Sequence, residues 1–272
     1  MTPRETVPAG ASADAIFDGA VRVWQPRRGY RFSDDALLLA EFAAARAASA
    51  GPAANAWDLG AGSGVVALAL LADLPGRARA AERAIAVELD PMLAALCRRS
   101  AADGGLAQRL TVMEGDLRDL VRSAPRGVAD LVVSNPPFHA GKRGAAPPDP
   151  QRAAARHDWL CRPGELCVTA AHLCAPGGRV CVVYAAARGD ELRVALAAAG
   201  LALTRERLVR PRSGAPARLI LLEAVPVPRG AESVLPSQPL PQRDELLLHP
   251  DHGPGYTPRV ESFLRTGAPI KG

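Results

Sequence analysis

The sequence predicts an α/β protein: a seven-stranded, mostly parallel sheet with helices on both faces and a reversed last strand. Three observations carry this. From Asn55 onward, short apolar runs alternate with helix-length segments, the pattern of a parallel sheet covered by crossover helices. The first run breaks into the glycine-rich stretch Asp58-Leu59-Gly60-Ala61-Gly62-Ser63-Gly64. The last two runs are joined only by PRSGAP, which makes a hairpin and turns the final strand antiparallel.

Taken in order, residues 1 to about 14 read as frayed chain, and Val21–Trp24 as a short strand. Ser33 offers an N-cap to a helix beginning at Asp34-Asp35, whose carboxylates face the positive end of the helix dipole. That helix runs through ALLLAEFAAARAA into the Ala/Ser/Gly/Pro stretch at 49–53. The candidate strands are Ala56–Leu59, Ala84–Leu89, Leu110–Met113, Ala129–Ser134, Arg179–Tyr184, Ala202–Val209 and Ala217–Glu223. Between the first six lie helices over Val65–Leu74, Pro91–Ala102, Leu117–Arg122, Pro163–Ala175 and Gly189–Ala199. In the last helix Leu192, Leu196 and Ala199 share one face. Residues 225–272 hold nine of the 25 prolines and read as an extended wrap rather than a second domain. The chain thus divides into an N-terminal extension (1–54), a core (55–224) and a proline-rich wrap (225–272), one domain overall.

Composition sets the outer limits. With 272 residues, 48% hydrophobic and 22% charged, the chain is neither disordered, collagenous nor a coiled coil. No apolar stretch near the start has signal-peptide length, and the Ala/Leu runs are too interrupted for a membrane helix. Five cysteines without a CxxC pair fit no zinc spacing, so no metal is expected. They read as small buried hydrophobes of a reducing cytoplasm. A monomer is the expected state.

The glycine loop has two readings. Glycines at the mouth of a parallel sheet let backbone N–H groups approach a ligand. Gly62-x-Gly64-x-x-Ala67, with Glu88 on the next strand, formally matches a dinucleotide fingerprint and keeps an NAD-dependent oxidoreductase as a distant alternative. Asp58 argues against it. An acid before the first glycine repels a pyrophosphate but suits a ligand with an ammonium group. D-x-G-x-G-x-G is the first motif of class I (Rossmann-like) S-adenosylmethionine-dependent methyltransferases, and DLGAGSG is similar at every fixed position. Glu88-Leu89 then ends the second strand, where the acid can accept from both ribose hydroxyls. Asp116-Leu117 follows the third, where the acid can accept from an adenine amino group. The expected cofactor contacts are therefore Asp58, Gly60, Ala61, Gly62, Gly64, Glu88, Leu89, Asp116, Leu117 and Asn135.

The most specific chemistry lies in Asn135-Pro136-Pro137-Phe138 after the fourth strand. An amino group conjugated to a purine or an amide is a poor nucleophile, because its lone pair is delocalised. Two acceptors fixed on its two N–H bonds favour the pyramidal geometry of attack. The Asn135 side-chain oxygen and the Pro136 carbonyl can be those acceptors, and the prolines stiffen the backbone that aims them. Phe138 offers a flat face for an extruded base, a contact worth roughly 1–3 kcal/mol. His139 and His157 receive no catalytic role.

With these motifs the chain resembles the bacterial valine-tRNA adenine-37 N6-methyltransferases over nearly its full length. Its marks are RVWQPRRGYRFSDDALLLAEF, the paired DLGAGSG and NPPF, PDPQRAAARHD and, more weakly, GYTPRV. The resemblance implies transfer of a methyl group to an adenine N6 in tRNA. It also implies an N-terminal element that helps close the cofactor site, bringing Phe32, Ser33 and Asp35 near the ligand. SNPPFH is also similar to small-subunit rRNA guanine-N2 methyltransferases. The tetrad is shared, usually with Tyr, by release-factor glutamine N5-methyltransferases. These remain alternatives, as do a small-molecule N-methyltransferase and a non-catalytic RNA-binding module.

Charge is uneven. Residues 1–135 carry 15 basic and 16 acidic groups, residues 136–224 carry 13 against 7, and the remainder 5 against 5. The surplus falls in the insertion (Lys142, Arg143, Arg152, Arg156) and the last hairpin (Arg205, Arg207, Arg210, Arg212, Arg218). Both leave the sheet edge that carries Asn135, which suits tRNA or another structured RNA presented between them.

Overall fold

The computed structural model describes residues 10–29, 31–47, 51–74, 77, 79–137, 162–228 and 240–270. All seven expected strands of the core are present: β3 (Ala53–Leu59), β4 (Ala81–Glu88), β5 (Leu110–Glu114), β6 (Ala129–Ser134), β7 (Cys174–Ala185), β8 (Leu201–Arg210) and β9 (Leu219–Pro226). β3 to β7 pair in parallel, whereas β9 runs antiparallel to both β7 and β8. The reversed strand is thus inserted inside the sheet rather than at its edge. The order is β10-β8-β9-β7-β6-β3-β4-β5, so the sheet has eight strands and not seven. The eighth, β10 (Gln242–Leu247), comes from the proline-rich tail and pairs in parallel with β8.

Helices α1 (Asp34–Ala44), α2 (Val65–Leu71) and α3 (Pro91–Asp103) pack together on one face. On the other lie a short turn of helix, α4 (Leu120–Ser123), and α5 (Pro163–Leu173) and α6 (Gly189–Ala198). In α6, Leu192 and Leu196 are buried one turn apart, the face expected from their spacing. α3 begins cleanly because Asp90 accepts from Met92 N at 2.8 Å and Leu93 N at 3.3 Å, with Pro91 in the first turn. α7 (Pro258–Thr266) closes the chain and buries Val260 and Phe263.

Several boundaries differ from expectation, each for a local reason. Residues 11–14, expected to fray, belong to β1 (Ala11–Ile16), an antiparallel partner of β2 (Val21–Pro26). Ser33 stands at the N-cap of α1 in an extended conformation, but its hydroxyl makes no capping bond. α2 stops at Leu71, short of Leu74, and Pro75 follows in the sequence, which disfavours helix at the residue before it. α5 yields to β7 at Cys174 because Pro176-Gly177-Gly178 cannot extend a helix.

A buried charged network fastens α1 to the far side of the sheet. Arg207 donates to Glu41 at 2.7 Å and to both oxygens of Asp244 at 2.8 and 2.7 Å. Arg205 lies over the Phe42 ring, donates to the Phe42 carbonyl and faces Glu223 at 3.4 Å. Burial pushes the Glu41 carboxyl up, against the pull of Arg207. Truncating one partner leaves the other charge buried. Arg207→Ala is therefore expected to destabilise the fold by about 3–5 kcal/mol in urea unfolding. Removing the exposed Arg243 should change stability by no more than about 0.5 kcal/mol.

Candidate active site

The parallel strands end on one edge, and their register sets the site. Leu59 pairs with Val87, Asp58 with Val133, and Glu88 with Glu114. Continuing those registers puts Gly60, Glu88 and Asn135 at one level, on adjacent strands roughly 4.8 Å apart. Ser134 fixes the junction by donating its hydroxyl to the Leu59 carbonyl at 2.7 Å. The asparagine thus leaves β6 beside the glycine loop.

That loop is held by its neighbours. Gly60 N and Ala61 N both donate to the Val87 carbonyl, at 2.9 and 3.0 Å. Gly62 N donates to Glu88 Oε2 at 2.7 Å, while Asp90 N donates to Glu88 Oε1 at 2.8 Å. Gly64, at φ +84°, caps α2, and a Cβ there would lie 2.2 Å from Cys97 Sγ. Gly60, at φ +72°, has nothing within 4 Å of where its Cβ would be. One glycine is therefore demanded by packing. The other, exposed, keeps open the space in front of the loop.

The carboxylates differ in state. Asp58 is 2% exposed and accepts from Ala67 N at 3.1 Å. Burial pushes its carboxyl up to about 7, and nearby Glu88 adds to the shift. Burial also raises Glu88, against the backbone N–H groups that hold it. Asp116 is lowered instead, by Arg118. Arg118 Nε reaches both Asp116 oxygens at 3.0 and 2.9 Å, Nη2 adds a bond of 2.5 Å, and Arg118 N closes the turn at 2.9 Å. Arg118 also faces Glu165 of α5 at 3.7 Å. Leu89 and Leu117, which follow the two acids, are half-buried.

The N-terminal segment crosses above this edge. β2 docks on α3, with Trp24 N donating to Ser100 Oγ at 2.8 Å, whereas α1 starts on the other side of α2. There Asp35 pairs with Arg218 at 2.8 Å and Asp34 accepts from the Tyr256 hydroxyl. Phe32 and Ser33 therefore stand on the segment that leads from β2, on one side of α2, to the start of α1 on the other. Phe32 N is pinned by Gln25 Oε1 at 3.1 Å.

The profile of the methyltransferase small domain family matches residues 34–188. The chain belongs to this family. A tRNA1(Val) (adenine(37)-N6)-methyltransferase of Porphyromonas gingivalis is 31% identical to this methyltransferase over 241 residues, 87% of this chain and 89% of that protein. A release factor glutamine methyltransferase of Cereibacter sphaeroides is 35% identical over 182 residues, 61% of this chain and 62% of that protein. A crystal structure of a predicted O-methyltransferase from Agrobacterium tumefaciens superposes with a TM-score of 0.58 at 21% identity, covering 85% of this chain and 97% of that one. That likeness shows the class I fold alone.

The substrate side of this methyltransferase needs one correction. Arg205 and Arg207 are buried inside the ion network and present no charge to a ligand. The other hairpin arginines lie at the expected edge, since β8 runs parallel to β6, but each is engaged. Arg210 pairs with Glu245 at 3.0 Å, Arg212 donates to the carbonyls of Pro250 and Gly253, and Arg218 holds Asp35. Pro136 is buried and Pro137 exposed, while Asn135 is half-buried. Phe138, Lys142, Arg143, Arg152 and Arg156 lie outside the described residues. Among the described residues no group of three or more His, Cys, Asp or Glu could hold a metal ion. No helix there is long and apolar enough to cross a membrane. Sequence reading missed Arg118 and Ser134, whose roles depend on the turn and register that bring them to Asp116 and Leu59.

Proposed function

We propose that this methyltransferase uses S-adenosylmethionine to methylate the N6 amino group of an adenine in tRNA, at position 37 of the anticodon loop. The observation that carries the reading is Asn135 at the end of β6, level with Gly60 and Glu88 and followed by two prolines. The names of the full-length relatives agree with it.

The residues present fit the cofactor. Gly60 leaves open space before the loop, and Asp58 supplies a carboxyl for an ammonium group. Glu88 has spent one lone pair of each oxygen on backbone N–H groups, which leaves the others for ribose hydroxyls. At Asp116 the fit requires Arg118 to give up part of its grip. When bound, S-adenosylmethionine supplies a methyl group on a positively charged sulfur. The Asn135 side-chain oxygen and the Pro136 carbonyl accept the two N–H bonds of the incoming amine and turn its lone pair outward. No general base is required, because the proton leaves once the nitrogen has become cationic. Phe138 stacks on the base, and Lys142, Arg143, Arg152 and Arg156 meet phosphates. An RNA substrate places the enzyme in the cytoplasm.

Asp58 makes cofactor binding pH-dependent. Its folded value near 7 exceeds the ordinary 3.8, so folding favours the protonated form. That contribution to stability is full below about pH 4 and is lost as pH rises through 7. An ammonium ligand needs the carboxylate. Because the ligand's own α-amino group loses its charge near pH 8, the cofactor should bind about fivefold more weakly at pH 6 than at pH 7.5, and titration calorimetry checks this. Asp58→Asn should flatten the profile, and a flat profile in the wild type would separate Asp58 from the ammonium group.

Transfer of labelled methyl groups tests the function. Total tRNA should be labelled in preference to ribosomal RNA or release factors. Labelling of a release factor instead would favour the glutamine reading. Binding of NAD in place of S-adenosylmethionine would exclude both.

A further inference from the structure

The arginines that read as RNA contacts in the last hairpin are engaged inside the protein, yet exposed cations do stand at the catalytic edge. They lie on the strap between β2 and α1. Arg27 and Arg28 are both exposed, and neither has a carboxylate partner among the described residues. Arg27 Nε donates to the Ala11 carbonyl at 3.1 Å, and Gly29 at φ +101° turns the chain directly after the two arginines. Arg31, the next in line, is paired with Asp14 at 2.5 Å.

Their height follows from the hairpin. The β1–β2 turn sits at the opposite edge, where Phe17 meets Phe263 at 5.7 Å between ring centroids. Val21 borders a cleft with Leu71, Asp73 and Gly104, at the C-terminal ends of α2 and α3. Trp24 is tied to Ser100, three residues before α3 ends. β2 runs on from Trp24 to Pro26, roughly 6.6 Å farther from those helix ends, and Arg27 and Arg28 follow in the bend beyond it. From Ser100 back to Pro91, nine helical rises of α3 span about 13.5 Å toward the catalytic edge. The two arginines therefore lie beyond Trp24, on the segment that leads from the C-terminal end of α3 to the start of α1, where Asp35 pairs with Arg218 at the catalytic edge.

We propose that Arg27 and Arg28 form a contact surface for the phosphodiester backbone of the RNA, beside the cofactor end of the site. This rests on the RNA-methyltransferase reading. Guanidinium groups suit phosphates because their N–H donors can bind two oxygens at once. Two such groups on this strap can hold the RNA while its base enters beside Asn135. Base identity is read elsewhere, so this surface contributes affinity and register, and no sequence preference.

The test is tRNA binding across a salt series, about 50 to 300 mM, for the wild type and for the double variant Arg27→Gln/Arg28→Gln. The variant should bind about tenfold more weakly at the low-salt end, and its plot of log affinity against log salt should be shallower by about 1.5 to 2. Its melting temperature and its affinity for S-adenosylmethionine should match the wild type. A control, Arg83→Gln/Arg126→Gln, removes two exposed charges at the opposite edge, where β4 and β6 begin, and should retain the wild-type slope. An unchanged slope in the strap variant overturns the surface, as does an equal loss of cofactor and tRNA affinity. An equal flattening in the control overturns it too, since it would show a diffuse field. If the wild type itself fails to bind tRNA, the functional reading falls, and the surface with it.

Discussion

Asn135→Ala should lower methyl transfer by about 10²–10³-fold or more while leaving S-adenosylmethionine affinity within about twofold. The asparagine sits level with Gly60, and Ser134 holds its strand to β3 through the Leu59 carbonyl at 2.7 Å. Its backbone position is thus independent of the amide. Alanine removes one of two acceptors for the incoming amine and leaves the junction intact. The carboxyls proposed to hold the cofactor, Asp58 and Glu88, stand on the neighbouring strands and lose nothing. Single-turnover rates with saturating cofactor, set beside calorimetric binding, separate the two effects. Equal losses in both would make Asn135 a cofactor ligand and not an aid to the transition state. Asn135→Asp is the informative companion, because it keeps an acceptor while adding charge.

Gly64→Ala should be far more damaging than Gly60→Ala. Its φ of +84° strains any L residue, and the added Cβ would sit 2.2 Å from Cys97 Sγ and 3.3 Å from Cys97 Cβ. Cys97 is fully buried in α3 and cannot swing into solvent. Backbone strain of about 1–3 kcal/mol and overpacking of similar size should together lower stability by about 2–5 kcal/mol in urea unfolding. Gly60→Ala has the same sign of φ but open space around it, so only the strain applies. It should fold, lose about 1–2 kcal/mol and bind S-adenosylmethionine markedly less well, since its methyl group faces the ligand space. Adding Cys97→Ala to Gly64→Ala should return the steric part and leave the strain. No recovery in that double variant would mean that the contact with Cys97 does not limit this position.

Where each element's own residues dictated its conformation, the sequence was readable. The Val, Leu and Ala runs of β3, β4 and β6 and the glycines after β3 are local signals, and the hairpin at PRSGAP reversed β9 as expected. β1 was hidden because Ala11-Ser12-Ala13-Asp14 has little strand propensity, and only pairing with β2 makes it extended. β10 was hidden for an electrostatic reason. Gln242-Arg243-Asp244-Glu245 looks like solvated loop until Asp244 is seen opposite Arg207, with Glu245 reaching Arg210. The same pairs explain why the basic count of the last hairpin misled. A charge sum treats each arginine as facing water, whereas Arg207, Arg210 and Arg218 face acids brought in from α1 and the tail, Arg205 faces Glu223, and Arg212 donates to backbone carbonyls. The candidate site was more legible than its surroundings, because Asp58, Glu88, Asp116 and Asn135 stand at or just after strand ends whose order the alternation already implied. Arg118 and Ser134 were not, since neither belongs to a motif and both act through register and turn geometry.

In the proposed reaction the amine reaching Asn135 belongs to an adenine of tRNA. The most direct measurement is to incubate the enzyme with labelled S-adenosylmethionine and unmodified tRNA, digest the product, and identify the labelled nucleoside by mass spectrometry. A single labelled species, N6-methyladenosine, is expected, recovered from the anticodon-loop fragment that carries position 37. Label in N2-methylguanosine, or none in tRNA but label on protein glutamine, would contradict it.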